Sequence, residues 1–428
     1  MSDFKQKFKS IVLWSLIAAA FIGPGTVTTA SLAGASYNYA LIWALVFASL
    51  TCFVLQEASA RISIVSGNEL PSALLSISKS NRFMRFLVYL IAISVVIGCI
   101  AYQAGNMTGA LSGIQLFSPA NRLVFLSFIF VVIFLLLYSG SYQKVAMVLS
   151  ILVAIMGFSF IYIVINGPHN WTQVSSGIIP TFPENSWLIL MGLIGTTIVP
   201  YNLFLGSGLG SGQTLNTMRF GLFISIIIGG IISISILING SLIDGEFSFV
   251  SLAESLNPVM GNQGALFLGI GLFAAGFTSS VTSPMAAAIL AKGFIQNKKV
   301  NIYRLTWLIV LFSGLFFSML DFKPIPLIVL AQALNGMILP LAVILIWITV
   351  NHPLIMKNKL PGIAYNMAFF IVSCIVSIIG LTALNNQSEK LLSATLSNEF
   401  IYLISGVISI ITAIIIYKVR LLPGVHSS

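Results

Sequence analysis

Apolar runs of about 20 residues, each long enough to cross a bilayer as a helix, recur along this 428-residue chain from end to end. They lie near 11–34, 38–65, 84–112, 120–139, 143–166, 186–209, 218–240, 262–292, 303–319, 323–350, 362–384 and 398–419. Only 7% of residues are charged, against roughly a quarter in soluble domains. The chain is therefore expected to be an all-α polytopic membrane protein of about 12 transmembrane helices. The first run follows the charged stretch "MSDFKQKFKS" with no convincing small-residue cleavage site after it, so it reads as a span and not as a signal peptide.

A net charge of +10 invites a nucleic-acid partner, but its distribution argues for a lipid bilayer. With the N-terminus inside, Lys5, Lys7, Lys9, Lys79, Arg82, Arg85, Lys144, Arg219, Lys292, Lys298, Lys299, Arg304, Lys357, Lys359, Lys418 and Arg420 all fall inside, and Arg61 lies at the inner end of the second span. Only Arg122, Lys323 and Lys390 fall outside, where most of the acids gather: Glu184, Asp244, Glu246, Glu254, Asp321, Glu389 and Glu399. This is the positive-inside pattern, and it predicts a cell-membrane protein with both termini cytoplasmic. Cys52, Cys99 and Cys374 are scattered among spans, and His169, His352 and His426 lie in loops or the tail, so neither type forms a metal-ligand spacing. No nucleophile–base set and no phosphate-binding loop is present, so an enzyme and an ATP-driven pump are both disfavoured, and no cofactor is implied. The sequence carries no signal for an oligomeric state.

Two spans are interrupted. The first is broken at Gly23-Pro24-Gly25, and the sixth, "LIGTTIVPYNLFLGSGLGSG", around Pro200. Each proline removes a donor and frees upstream carbonyls, a cost tolerated at membrane depth where the backbone lines a cavity, binds a ligand or meets neighbouring helices. A single such site is more often a simple kink. Two at corresponding places, each opening a five-helix block, point to inverted repeats around a midplane site. The expected organisation is a first repeat at 1–166, a second at 186–350, and two further helices at 362–419.

These residues resemble the Nramp divalent-metal transporters. "GPGTVTTASLAGASYNYALIWAL", "LQEASARISIVSGNEL", "TTIVPYNLFL", "AAGFTSSVTSPMAAAILAKGF" and "LAQALNGMILPLAVILIW" match that family in order over the first ten spans. The resemblance implies a LeuT-type fold with broken helices 1 and 6 and alternating access. It also implies a substrate site at Gly23, Thr26, Val199, Tyr201, Asn202 and Gln332. The family's aspartate and asparagine of the first break are replaced by Gly23 and Thr26, and its methionine and histidine of the second by Val199 and Tyr201. Gln332 keeps the family's glutamine, while Gln103 and Asn106, in "AYQAGNMTG", stand where it has acids of a proton route.

Each replacement has a chemical consequence. Without a thioether the preference for soft transition metals goes, and without the aspartate no metal is held by direct carboxylate ligation. Gly23 is also expected to leave a larger space, suited to an ion that keeps its water shell, as magnesium tends to do. Facilitated transport of hydrated Mg²⁺, with Mn²⁺ as a further cargo and no proton coupling, is the leading reading. A small anion such as bicarbonate, a small carboxylate or a neutral solute is the rival, because helix N-termini at a break are natural anion sites. A non-transporting sensor is the third. Glu57 lies one turn before Arg61, and is either an ion-attracting carboxylate or half of a structural pair.

Overall fold

The computed structural model describes residues 2–421 except 80, 120, 211, 296–300, 321–323, 358 and 393–395. Lys298, Lys299, Asp321, Lys323 and His426 lie outside the described residues, as do the side chains of Glu389 and Lys390. The helices are α1 (Ser2–Phe21), α2 (Pro24–Tyr37), α3 (Ile42–Ser66), α4 (Leu70–Ser78), α5 (Arg82–Gln115), α6 (Arg122–Tyr138), α7 (Tyr142–Asn166), α8 (Trp171–Ser176), α9 (Trp187–Thr197) and α10 (Pro200–Leu209). They continue as α11 (Leu215–Gly240), α12 (Phe249–Ser255), α13 (Asn257–Met260), α14 (Gly264–Phe294), α15 (Ile302–Met319), α16 (Pro324–Val350), α17 (Pro353–Met356), α18 (Ile363–Leu392) and α19 (Asn398–Arg420).

Every apolar run read from the sequence falls on one of these elements. Among the described residues eight single helices are long and apolar enough to span, the interrupted Trp187–Leu209 (α9 with α10) makes a ninth span, and the bent pair Lys5–Phe21 and Pro24–Tyr37 a tenth. Arg122–Tyr138 is a shorter apolar helix, and Ile338–Val350 is the apolar C-terminal part of the longer α16. Several spans start at a side-chain cap that accepts an otherwise unpaired backbone N–H: Asn81 for α5, Asn121 for α6, Ser141 for α7, Thr214 for α11 and Ser397 for α19. The caps stop each helix at the loop and let the apolar run behind it cross unbroken.

The broken spans sit inside the bundle. α2 packs on α11, and α14 runs along α5 and touches α1, α2 and α10. The α2–α11 crossing is close because glycines face backbone there. A Cβ on Gly34 would stand 2.0 Å from Leu237 O, and one on Gly240 would stand 2.3 Å from Ser31 O. Small residues at such crossings replace the hydrophobic drive that lipid cannot supply.

The break in the first span is shorter than expected and lies earlier. Helix is interrupted only at Ile22 and Gly23; Pro24 is already the first residue of α2 and Gly25 is helical. Likewise Ile198 and Val199 are the interruption in the second, and Pro200 begins α10. The reason is general: proline has no N–H to lose at a helix start and its fixed φ suits that position. The chain bends by 61° between α1 and α2.

Candidate functional site

A break of this kind leaves a fixed set of carbonyls without their usual donors, and their partners define the centre. Ile22 N still bonds Ala18 O, and Val27 N bonds Gly23 O, so the helical ladder is intact on either side. Between them, Ala20 O would need the N–H of residue 24, which is proline and has none. Tyr201 supplies the missing proton, its hydroxyl donating to Ala20 O at 3.2 Å. Ala19 O accepts from the hydroxyls of Thr278 at 3.1 Å and Ser279 at 3.4 Å. Phe21 O accepts from the Thr26 hydroxyl across the break. Three consecutive carbonyls at the end of α1 are thus capped by hydroxyls from α14, α10 and α2.

These bonds fix the polarity of the centre. A hydroxyl that gives its one proton to a carbonyl keeps only lone pairs for anything else. Thr26, Tyr201 and the hydroxyls at 278 and 279 therefore present acceptors. Thr26→Val keeps the side chain's shape and removes the proton that caps Phe21 O. It is expected to lower stability by about 1–3 kcal/mol, read as a lower thermal midpoint in detergent, with Thr26→Ser restoring it.

All six residues expected to form the substrate site are brought to this region and buried. Thr26, Val199, Tyr201, Asn202 and Gln332 are each less than 5% exposed. Gln332 Oε1 accepts from the Thr29 hydroxyl at 2.8 Å, and its Nε2 has no partner. A half-turn of that amide, with Thr29 accepting instead of donating, presents the oxygen equally well. Asn202, on the first turn of α10, leaves both amide atoms without a partner. A buried amide left unpaired is a place that a ligand or a water can fill, and Asn202 shares this state with Gln56 elsewhere in the bundle.

The larger space expected at Gly23 is not there. A Cβ at that position would meet Ser279 Oγ at 2.7 Å and Asn106 Oδ1 at 3.7 Å. The helix α14 carries its serine against the break, where a carboxylate from residue 23 would have stood. Asn106, read from the sequence as part of a former proton route, faces the break itself, with its Nδ2 unpartnered. Gln103 belongs instead to the α5–α14 contact, donating through Nε2 to Ser280 O at 3.0 Å.

The Glu57 carboxylate, buried within α3 toward the C-terminal end of its span, is fully engaged. Arg61 donates to Glu57 Oε1 through Nη2 at 2.8 Å, Arg219 donates to the same oxygen through Nε at 2.8 Å, and the Tyr365 hydroxyl donates to Oε2 at 2.6 Å. Glu57 thereby ties α3 to α11 and α18. Its side chain is 4% exposed, so this is an ion pair inside protein and not on a wet surface. Among the described residues, no group of three or more His, Cys, Asp or Glu gathers that could hold a metal ion.

Sequence reasoning missed Thr278 and Ser279 as members of the centre, and Arg219 and Tyr365 as partners of Glu57. The first pair carried a visible signal: "TSSVTS" puts five hydroxyls within six residues of an apolar span. The second carried none, since Arg219 and Tyr365 lie 162 and 308 positions from Glu57.

A family model described as natural resistance-associated macrophage protein-like (Nramp) matches residues 15–385. The divalent metal cation transporter MntH of Verminephrobacter eiseniae is 27% identical over 301 residues, covering 66% of this chain and 67% of that protein. The MntH of Caldanaerobacter subterraneus is 25% identical over 406 residues, covering 89% and 93%. The solved manganese transporter of Eremococcus coleocola superposes with a TM-score of 0.78 at 19% identity, over 98% of this chain and 95% of that one. A nucleobase-cation-symport-1 family transporter in a closed conformation superposes with a TM-score of 0.56 at 14% identity, over 96% and 92%. These two likenesses speak to the fold alone, and with the broken spans they make it LeuT-type. The chain belongs to the Nramp family, whose members are membrane transporters and not enzymes.

Proposed function

We propose that this protein is a facilitative transporter of a hydrated divalent cation, Mg²⁺ foremost and Mn²⁺ as a further cargo, working by alternating access without proton coupling. One observation carries the reading: the hydroxyls around the first break spend their protons on backbone carbonyls, so these hydroxyls offer acceptors at a centre without charge. Acceptors suit the outward-pointing hydrogens of an ion's water shell. An anion would find the Thr26 proton occupied and only the neutral amides of Asn106, Asn202 and Gln332 as donors, with no cationic group among them. With Val199 in place of a thioether nothing at the centre favours soft metals over abundant hard ones. Gln103 and Asn106 bear no titratable proton, so the route that carries protons in coupled carriers has no carrier here.

The same proposal takes Gly23, Thr26, Val199, Tyr201, Asn202 and Gln332 as the substrate site. It treats 1–166 and 186–350 as the inverted repeats with 362–419 appended, and places both termini in the cytoplasm by the distribution of Lys and Arg.

Liposomes loaded with a magnesium-sensitive dye and, separately, a pH dye test it. The expected result is a rise in lumenal magnesium on external addition, with no acidification. A pH change driven by bicarbonate with a silent magnesium dye would assign the anion reading instead. Ligand binding without flux of either kind would make the chain a sensor.

A further inference from the structure

A cavity of about 800 Å³ opens at the lysine-rich end of the bundle, away from the substrate centre, between α1, α7 and the turn joining α10 to α11. Its walls are helix faces of matched character. On α1, Gln6, Lys9 and Leu13 follow one another at helical spacing, and on α7 so do Met147, Ile151 and Ala154. Lys144 stands one turn before Met147 on that same α7 face and is exposed. The polarity therefore runs in one direction along both walls, from lysine at the rim to aliphatic at the floor.

Hydrogen bonds tie the three walls to one another. Ser10 Oγ donates to Thr217 O at 2.8 Å, Gln213 Oε1 accepts from Trp14 Nε1 at 3.2 Å, and the hydroxyls of Ser15 and Ser150 pair at 2.5 Å. These groups fix the shape of the groove and ask for no ligand of their own. The unsatisfied chemistry is at the rim and along the open side. Among the described residues, no acidic side chain lines the cavity. Met147 is 63% exposed and Ile151 54%, on a helix long and apolar enough to span a membrane. The groove is thus open sideways to the bilayer, which excludes a water-soluble ligand as its natural occupant. The N-termini of α7 and α11 add the positive ends of two long helices at the same level.

We propose that this groove binds one anionic phospholipid, its phosphate at Lys9 and Lys144 and an acyl chain laid along Leu13, Met147, Ile151 and Ala154. Basic pockets between helices at the level of the headgroups, continued by an apolar trough, are what such a lipid recognises. A lipid seated there braces α1, the half-helix that ends at the break, against α7. The proposal is independent of which ion the protein carries.

Native mass spectrometry of the detergent-purified chain, titrated with phosphatidylglycerol or phosphatidylcholine, tests it. The wild type is expected to retain one phosphatidylglycerol in preference to phosphatidylcholine. Lys9→Gln with Lys144→Gln should weaken retention by about fivefold for each lysine, or about 25-fold together, the usual effect of one basic residue near an anionic lipid. Ala154→Phe, which fills the floor and leaves the charge, should also displace the lipid. Lys79→Gln with Arg82→Gln, which removes equal charge elsewhere, should not. Equal retention of the two lipids by the wild type would overturn the proposal without any variant having to fold. So would loss in the lysine variant with full retention in Ala154→Phe, which would reduce the effect to surface charge. Displacement of the lipid by millimolar inorganic phosphate would overturn it too, by making the rim a site for the free anion.

Discussion

Gly23→Asp is expected to abolish transport and lower the thermal midpoint, although it restores a residue that the family resemblance places there. The obstacle is contact and not conformation. Gly23 has φ −103°, a value any residue adopts, so backbone strain plays no part. The added Cβ would stand 2.7 Å from Ser279 Oγ, closer than side-chain atoms sustain, and 3.3 Å from its Cβ, a tight contact. Ser279 is 1% exposed on a helix packed along its length, and turning its hydroxyl away would break its bond to Ala19 O and leave that carbonyl to Thr278 alone. Overpacking of this kind costs about 1–3 kcal/mol, and an unpaired carboxylate buried beside it costs more. Two controls separate these contributions. Gly23→Ala carries only the steric cost and should still fail, by about tenfold in transport rate or the equivalent 1.4 kcal/mol in stability. Gly23→Ala with Ser279→Gly should recover, because the partner atom is gone. A Gly23→Ala protein as stable and as active as its parent would show that the two positions are not a matched pair.

Glu57→Gln is expected to destabilise the protein by roughly 3 kcal/mol, the lower end of what breaking a buried pair costs. The low end applies because Arg219 is 41% exposed through its side chain and can turn to water, whereas Arg61 is only 11% exposed and keeps its charge inside. Removing the stranded charge as well, in Glu57→Gln with Arg61→Met, should return part of the loss. Thermal unfolding in detergent reads the stability, and magnesium uptake by the surviving protein should show unchanged ion affinity. Unchanged stability with weakened ion affinity would mean that the carboxylate serves the ion and not the helices.

The elements were legible because a bilayer imposes one period and one length, and both survive in the apolar runs. The breaks were legible to within two residues: the Gly-Pro pattern announces them, but proline's fitness for the first helical position moves the actual gap to Ile22–Gly23 and Ile198–Val199. The centre was legible only in part. Spacing predicts that Glu57 and Arg61 share a helix face. It says nothing of the arginine and tyrosine that complete the cluster, which arrive from α11 and α18 through the fold. The filled space at Gly23 was misjudged for the same reason. A hydroxyl-rich stretch in α14 was evident, but which hydroxyl meets the break depends on the rotation of α14 against α1, and no single helix encodes that.

The neutrality of the centre sets where the membrane potential acts on such a carrier. With no fixed charge among Gly23, Thr26, Val199, Tyr201, Asn202 and Gln332, the empty protein reorients without moving charge through the field at that point. A bound divalent cation brings both of its charges uncompensated, worth about 4.6 kcal/mol per 100 mV if carried across the whole membrane. A family member with an aspartate in the break would carry part of that countercharge on both the loaded and the empty journey. If this chain works as proposed, all of the electrical driving force falls on the loaded one, and a negative-inside potential alone would give uptake its direction.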